Sequence, residues 1–149
     1  MKRAILLGLI PLAFGAGQAW AQNCTNATTA GMTPTQIRGL VSGQYACVGA
    51  SPNAQWDELH TGSGATGMVL DYKLGPSSPT DPSDTPAHPT GTYAISAPQG
   101  AQAPGLITYT YGSGSFAYRI VNNLGAPLYS FCGIGAAPQL AVTISPSHC

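Results

Sequence analysis

Residues 106–122 read LITYTYGSGSFAYRIVN. Ile107, Tyr109 and Tyr111 alternate with Leu106, Thr108 and Thr110. Beyond Gly112-Ser113-Gly114, Phe116, Tyr118 and Ile120 alternate with Ala117, Arg119 and Val121. A period of two over β-branched and aromatic residues, broken by a Gly-rich turn, specifies an antiparallel hairpin.

The same reading extends outward in both directions. Upstream, strands are expected over 44–48, 55–60, 68–73 and 92–97. Downstream, a turn at Asn122-Asn123-Leu124-Gly125 leads to a strand over 128–132, and Leu140, Val142 and Ile144 mark a last one. The chain holds 19 Gly and 13 Pro, a content that favours short strands and turns over long helices. Residues 75–90 carry five prolines (76, 79, 82, 86, 89), and proline cannot donate to a ladder, so this stretch reads as an extended loop. The expected fold is all-β: an antiparallel meander of roughly eight strands closing into a small barrel or sandwich. Closure is favoured because a small sheet with few edge charges otherwise leaves unpaired, adhesive edges.

One short N-terminal helix completes the pattern. Thr33 can cap it, Pro34 suits its first position, and Gln36 completes a Thr-x-x-Gln capping box. Ile37, Leu40 and Val41 fall on one face, and Gly43 can end it in a left-handed cap. At this length it needs a partner surface to be stable, and a sheet is the expected one.

Lys2 and Arg3, the apolar run 4–17 broken by Pro11, and Ala19-Trp20-Ala21 have the order of a secretory signal peptide. The run is short for a membrane span. Asn23 directly before Cys24 does not suit a lipid anchor. The expected organisation is a signal peptide over 1–21 and a single β-domain over 22–149, secreted or periplasmic, with no membrane span after cleavage. The mature region keeps three basic residues (Arg38, Lys73, Arg119) and five acidic ones (Asp57, Glu58, Asp71, Asp81, Asp84), a net charge of −2 with neutral His. Charged residues make up 7% of the chain, against about 25% in an average soluble protein. So few cations exclude phosphate-backbone binding, hence nucleic acid as a partner. A weakly charged surface also repels its own copies poorly, which points towards a homo-oligomer or an extracellular surface or glycan as partner.

Cys24, Cys47, Cys132 and Cys149 all lie in the mature region, where export makes disulfides the expectation. Sequence leaves three pairings open. Loop closure favours Cys24–Cys47 with Cys132–Cys149, Cys24–Cys149 would tie the ends together, and cysteines near both ends leave bonds between chains conceivable. No spacing is CxxC, so neither a zinc ribbon nor a thioredoxin-type redox pair is indicated.

Four segments, Trp56-x-x-x-His60, Asp71-Tyr72-Lys73-Leu74-Gly75-Pro76, Gly91-Thr92-Tyr93 and Tyr129-Ser130-Phe131-Cys132-Gly133, resemble those of small secreted bacterial β-rich proteins of unassigned activity. That resemblance spans about half the chain. It implies export and one compact β-domain, and no catalytic residues. The meander alone is similar to lipocalin-like and avidin-like barrels, a likeness at the level of fold.

Candidate chemistry concentrates on the 55–60 strand. Trp56, Glu58 and His60 share one face, with Asp57 and Leu59 on the other. Asp71, on the next strand, could approach His60, and a carboxylate beside an imidazole can orient a base or help hold a metal. The plain alternative is a His–Asp hydrogen bond on a sheet face. Asp57 and Glu58 are adjacent and point opposite ways, so they cannot flank one glycosidic bond. His88 and His148 would reach His60 only if loop or tail folded back; no metal and no cofactor is expected. No Gly-x-Ser-x-Gly elbow occurs, and no catalytic residue is assigned. Most aromatics are expected in the core, with Trp56 and Tyr72 exposed or at a rim. Asn23-Cys24-Thr25 and Asn26-Ala27-Thr28 match glycosylation sequons but carry no weight in a bacterial context.

Three functions follow. The first is an exported non-enzymatic domain acting by contact, as a surface, matrix or self-associating component. The second is a small-ligand carrier with Trp56, Glu58, His60, Asp71 and Tyr72 near its binding region. The third is a hydrolase or metal enzyme using His60 with Asp71 or Glu58.

Overall fold

The computed structural model describes residues 24–48, 56–73, 91–112, 114–123 and 128–149; of Trp56 and Lys73 it describes the backbone. The expected signal peptide, the proline-rich loop 75–90 and most of the connection after Asn122 lie outside these residues.

Eight antiparallel strands form a closed barrel in simple sequential order. They are β1 (Tyr45–Val48), β2 (Trp56–Thr61), β3 (Thr66–Lys73), β4 (Gly91–Ser96), β5 (Leu106–Tyr111), β6 (Gly114–Asn122), β7 (Leu128–Ile134) and β8 (Leu140–Ser145). The expected all-β class and the strand positions hold, and barrel rather than sandwich is the outcome. The barrel closes where β1 pairs with β8, Ala46 opposite Ile144 and Val48 opposite Val142. Every strand then has two hydrogen-bonded neighbours, which removes the edge problem entirely.

Alternation sorts side chains between wall and interior. Ala46, Val69, Tyr93, Ile107, Ile120 and Phe131 are among the buried residues of one core cluster. Where a tyrosine fills the interior, the facing strand yields space. Gly67 lies opposite Tyr93, and a Cβ there would run into the Thr61 carbonyl and the Tyr93 ring. A Cβ on Gly91 would likewise strike the Thr110 carbonyl and the Tyr111 ring. Small residues beside large ones are how a narrow barrel is filled.

The helix α2 (Pro34–Val41) forms as expected. Thr33 and Gln36 make the reciprocal capping box, and Pro34 opens the helix. Gly43 follows with φ 66°, the left-handed geometry glycine adopts without penalty. The helix does not lie on the sheet's face. It lies at the end of the barrel where β1 begins and β2 ends: Ile37 and Val41 are buried in the core cluster, and the Gly43 amide donates to the His60 carbonyl. The preceding segment is stitched to the same end, Met32 N–H to the Ile120 carbonyl at 2.8 Å and Gly105 N–H to the Met32 carbonyl at 2.9 Å. A second helix that the sequence reading lacked, α1 (Ala27–Ala30), rests against β6. Four residues without a side-chain cap leave too little periodicity to read.

The disulfide pairing corrects the short-loop expectation. The bonds are Cys24–Cys132 and Cys47–Cys149, with sequence separations of 108 and 102. No cysteine is left for a bond between chains. Closure explains both: β8 flanks β1, so the C-terminus returns to Cys47, and α1 brings Cys24 onto the outer face of β7. Closing a long loop costs little more entropy than closing a short one, so topology decides the pairing.

Candidate interior site

β2 carries ionisable groups to both sides of the barrel wall. Glu58 is opposite Ala46 on β1 and Asp71 on β3, and it shares the interior side with His60. The Tyr111 hydroxyl donates to Glu58 Oε1 at 2.6 Å. Tyr111 belongs to β5, two strands removed from β2's neighbour, so this bond crosses the interior. His60 makes the second such crossing: its Nε2 lies 2.7 Å from the Tyr109 hydroxyl. His60 Nδ1 donates to the Gln44 carbonyl at 3.3 Å, which leaves Nε2 to accept from Tyr109.

Burial sets the protonation of both groups. His60 is 0% exposed. Desolvation pulls its pKa down to about 4, against hydrogen bonds to the Gln44 and Glu58 backbone that act upward. Glu58 is pushed up to about 7. Desolvation is the main cause there too, with the charges of Asp71 and Asp57 adding to it and the Tyr111 hydrogen bond opposing it. A low-dielectric interior disfavours whichever form is charged. Near neutrality His60 is therefore uncharged, and Glu58 changes charge. Tyr109 and Tyr111 are both held well above the ordinary phenol range, first by desolvation and then by the Glu58 charge.

Tyr93 and Tyr109 both pack edge-on against His60. Tyr111 stacks on Tyr109 with ring centroids 6.3 Å apart and leans against Phe116, which is 36% exposed. The polar groups thus have aromatic walls. The helix α2 closes the end below His60, and Glu58 and Tyr111 lie towards the opposite end, where β3 and β5 terminate.

The register sets Asp71 diagonal to His60 on the same side of the wall. His60 faces Val69 across the hairpin, and Asp71 faces Glu58, so the carboxylates are the facing pair. The ring nitrogens of His60 go to Tyr109 and Gln44. Asp57 points outward, as alternation required, yet it is 0% exposed. The C-terminal tail folds back over it: His148 Nδ1 donates to Asp57 Oδ2 at 3.1 Å, and the Cys149 amide donates to the same oxygen at 2.9 Å. Tyr72 is half-buried on this outer face, against His148. Sequence reasoning therefore missed three partners: Tyr111 for Glu58, Tyr109 for His60 and His148 for Asp57. Alternation placed Tyr111 and Glu58 on inward faces of their own strands, and only closure brings those faces together.

Among the described residues, no group of three or more His, Cys, Asp or Glu side chains is placed to hold a metal ion. Comparison with models of protein families, with curated proteins and with solved structures finds no match.

Proposed function

We propose that this chain is an exported, non-enzymatic barrel that binds a small molecule at the interior end marked by Glu58 and Tyr111. The observation that carries the reading is the Glu58–Tyr111 hydrogen bond across the interior. A barrel built only for stability is filled most cheaply with apolar side chains, because a buried carboxylate is costly even when it has a partner. Here a facing carboxylate pair and five tyrosines (93, 109, 111, 118 and 129) line the inside, with a helix closing one end. Sites of this kind bury most of a ligand between aromatic walls and a few polar groups. Carboxylates accept hydrogen bonds, so the favoured ligand offers donors or positive charge. Two disulfides are compatible with an oxidising compartment, and the signal-like first 21 residues support export. The non-enzymatic reading rests on His60, buried and engaged at its ring nitrogens.

The test is ligand-observed NMR with a library of small amines, amides and carboxylic acids, using the native chain and the Tyr111→Phe and Glu58→Gln variants. Donor-bearing compounds should bind the native barrel and weaken at least tenfold with either folded variant. Binding indifferent to both substitutions, or confined to carboxylic acids, would sink the proposal.

A second reading, action by contact, is favoured by the outer wall. Its rungs run Thr92–Thr110–Ser115 and Ala94–Thr108–Ala117, and Arg119 is the one charged residue in β4, β5 and β6. Closure leaves association to faces instead of edges, so multimers formed this way should survive reductant in light scattering.

A further inference from the structure

The two disulfides differ in what surrounds them. Cys132 is buried and Cys24 half-buried beneath α1, while Cys149 is exposed at the end of the chain and bonded to a buried Cys47. Residues 146–149 leave β8 and cross the outer face of β1 onto β2. Besides the disulfide, hydrogen bonds and ring contacts hold this strap. His148 donates to Asp57, and the Cys149 amide donates to the same carboxylate. The His148 ring also lies between Tyr45 and Tyr72, with centroids 4.4 and 4.5 Å away. Tyr45 adds a hydroxyl 3.3 Å from His148 Nε2. The His148 side chain is nonetheless 53% exposed. Apart from the sulfur bond, the strap rests on one half-exposed imidazole and one amide set against a buried carboxylate.

We propose that Cys47–Cys149 is a thiol–disulfide exchange site that a dithiol opens while Cys24–Cys132 stays closed, releasing residues 146–149 as a strap. Exchange needs a sulfur that an attacking thiolate can reach, and the exposed residue is Cys149. One thiolate of the dithiol attacks Cys149 Sγ. The bond to Cys47 breaks, and Cys47 leaves as thiolate and takes a proton from water. Asp57, its register partner on β2, favours that protonation because a neighbouring carboxylate disfavours a second negative charge. The second thiolate of the reagent then attacks its own bound sulfur and frees Cys149 as thiolate. The dithiol ends as a disulfide and the protein has gained two electrons. Released, the strap withdraws both of its donors from Asp57 and uncovers the faces of Tyr45 and Tyr72. The barrel ladder is untouched, because β8 stays paired to β1 through Ser145.

The experiment treats the intact, unreduced chain with graded dithiothreitol, quenches with iodoacetamide and maps labelled cysteines by peptide mass spectrometry, with near-ultraviolet circular dichroism in parallel. Cys47 and Cys149 should be labelled about tenfold faster than Cys24 and Cys132, the aromatic signal of the barrel persisting throughout. His148→Ala should speed labelling of the first pair further and leave the second unchanged. Equal rates for the two bonds, earlier labelling of Cys24 and Cys132, or loss of the aromatic signal in step with the first labelling would overturn the proposal. So would a His148→Ala rate equal to the native one.

Discussion

Glu58 and Tyr111 show how much one hydrogen bond decides inside a barrel. Burial and two neighbouring carboxylates drive the Glu58 pKa upward, and the Tyr111 hydroxyl restrains it. Tyr111→Phe removes the restraint while keeping the ring, so the Glu58 carboxyl should titrate above its present value of about 7. Carbon-13 NMR of the side-chain carboxyl across a pH series checks this; an unchanged or lower value would mean that solvent, not Tyr111, sets the charge. Gly67 makes the opposite kind of demand, for space. Gly67→Ala sets a methyl against the Thr61 carbonyl and the Tyr93 ring, and should cost about 1–3 kcal/mol in chemical denaturation, the usual penalty for overpacking. A neutral substitution would show that the Thr61 backbone and the Tyr93 ring both give way at no cost.

At the scale of elements, α2 and β2 divide the work. α2 closes one end, and its value lies in the buried face more than in the helix itself, since two turns are not stable alone. Ile37→Ala should therefore destabilise the barrel by about 2–5 kcal/mol, against about 1 kcal/mol for Thr33→Ala, which removes only the cap. Urea melts of the two variants give the comparison; equal losses would mean that helix formation, not plugging, is what matters. Both elements were legible in the sequence. The capping box and the Gly43 stop are local chemistry, and alternation along β2 correctly sends Glu58 and His60 to one side and Asp57 to the other. What β2 faces across the barrel was not legible, because Tyr109 and Tyr111 lie about fifty positions away and nothing local marks them as partners.

For the whole molecule, the two buried titrations oppose each other. Glu58 has a folded pKa near 7 against 4.5 for an unperturbed carboxyl. Its contribution to stability is complete below about 4.5 and is lost as pH rises through about 7. His60 has a folded pKa near 4 against 6.5, so its contribution is complete above about 6.5 and is lost as pH falls through about 4. Between roughly pH 4.5 and 6.5 the folded barrel holds one extra proton on Glu58 and lacks one on His60, so these two slopes cancel and stability is level. Glu58→Gln should uncover a rise with pH across that window, and His60→Gln a fall, each of up to about 1.4 kcal/mol per pH unit. Urea denaturation at half-unit steps reads both, and parallel profiles for the two variants would refute the opposition.

Sequence by itself determined the strands, the capped helix and the side of the wall each strand residue takes. Those features follow from period-two alternation, turn residues and capping, all of which act within a few positions along the chain. Tertiary structure decided the rest. Once β8 paired with β1, Cys149 came to Cys47 and His148 to Asp57. Closure likewise put Tyr111 against Glu58 and Tyr109 against His60, and turned the tail into a strap. Short-range rules favour short loops and neighbouring partners; a closed barrel makes distant strands adjacent and gives facing walls a common interior, where burial then sets the charge of each group.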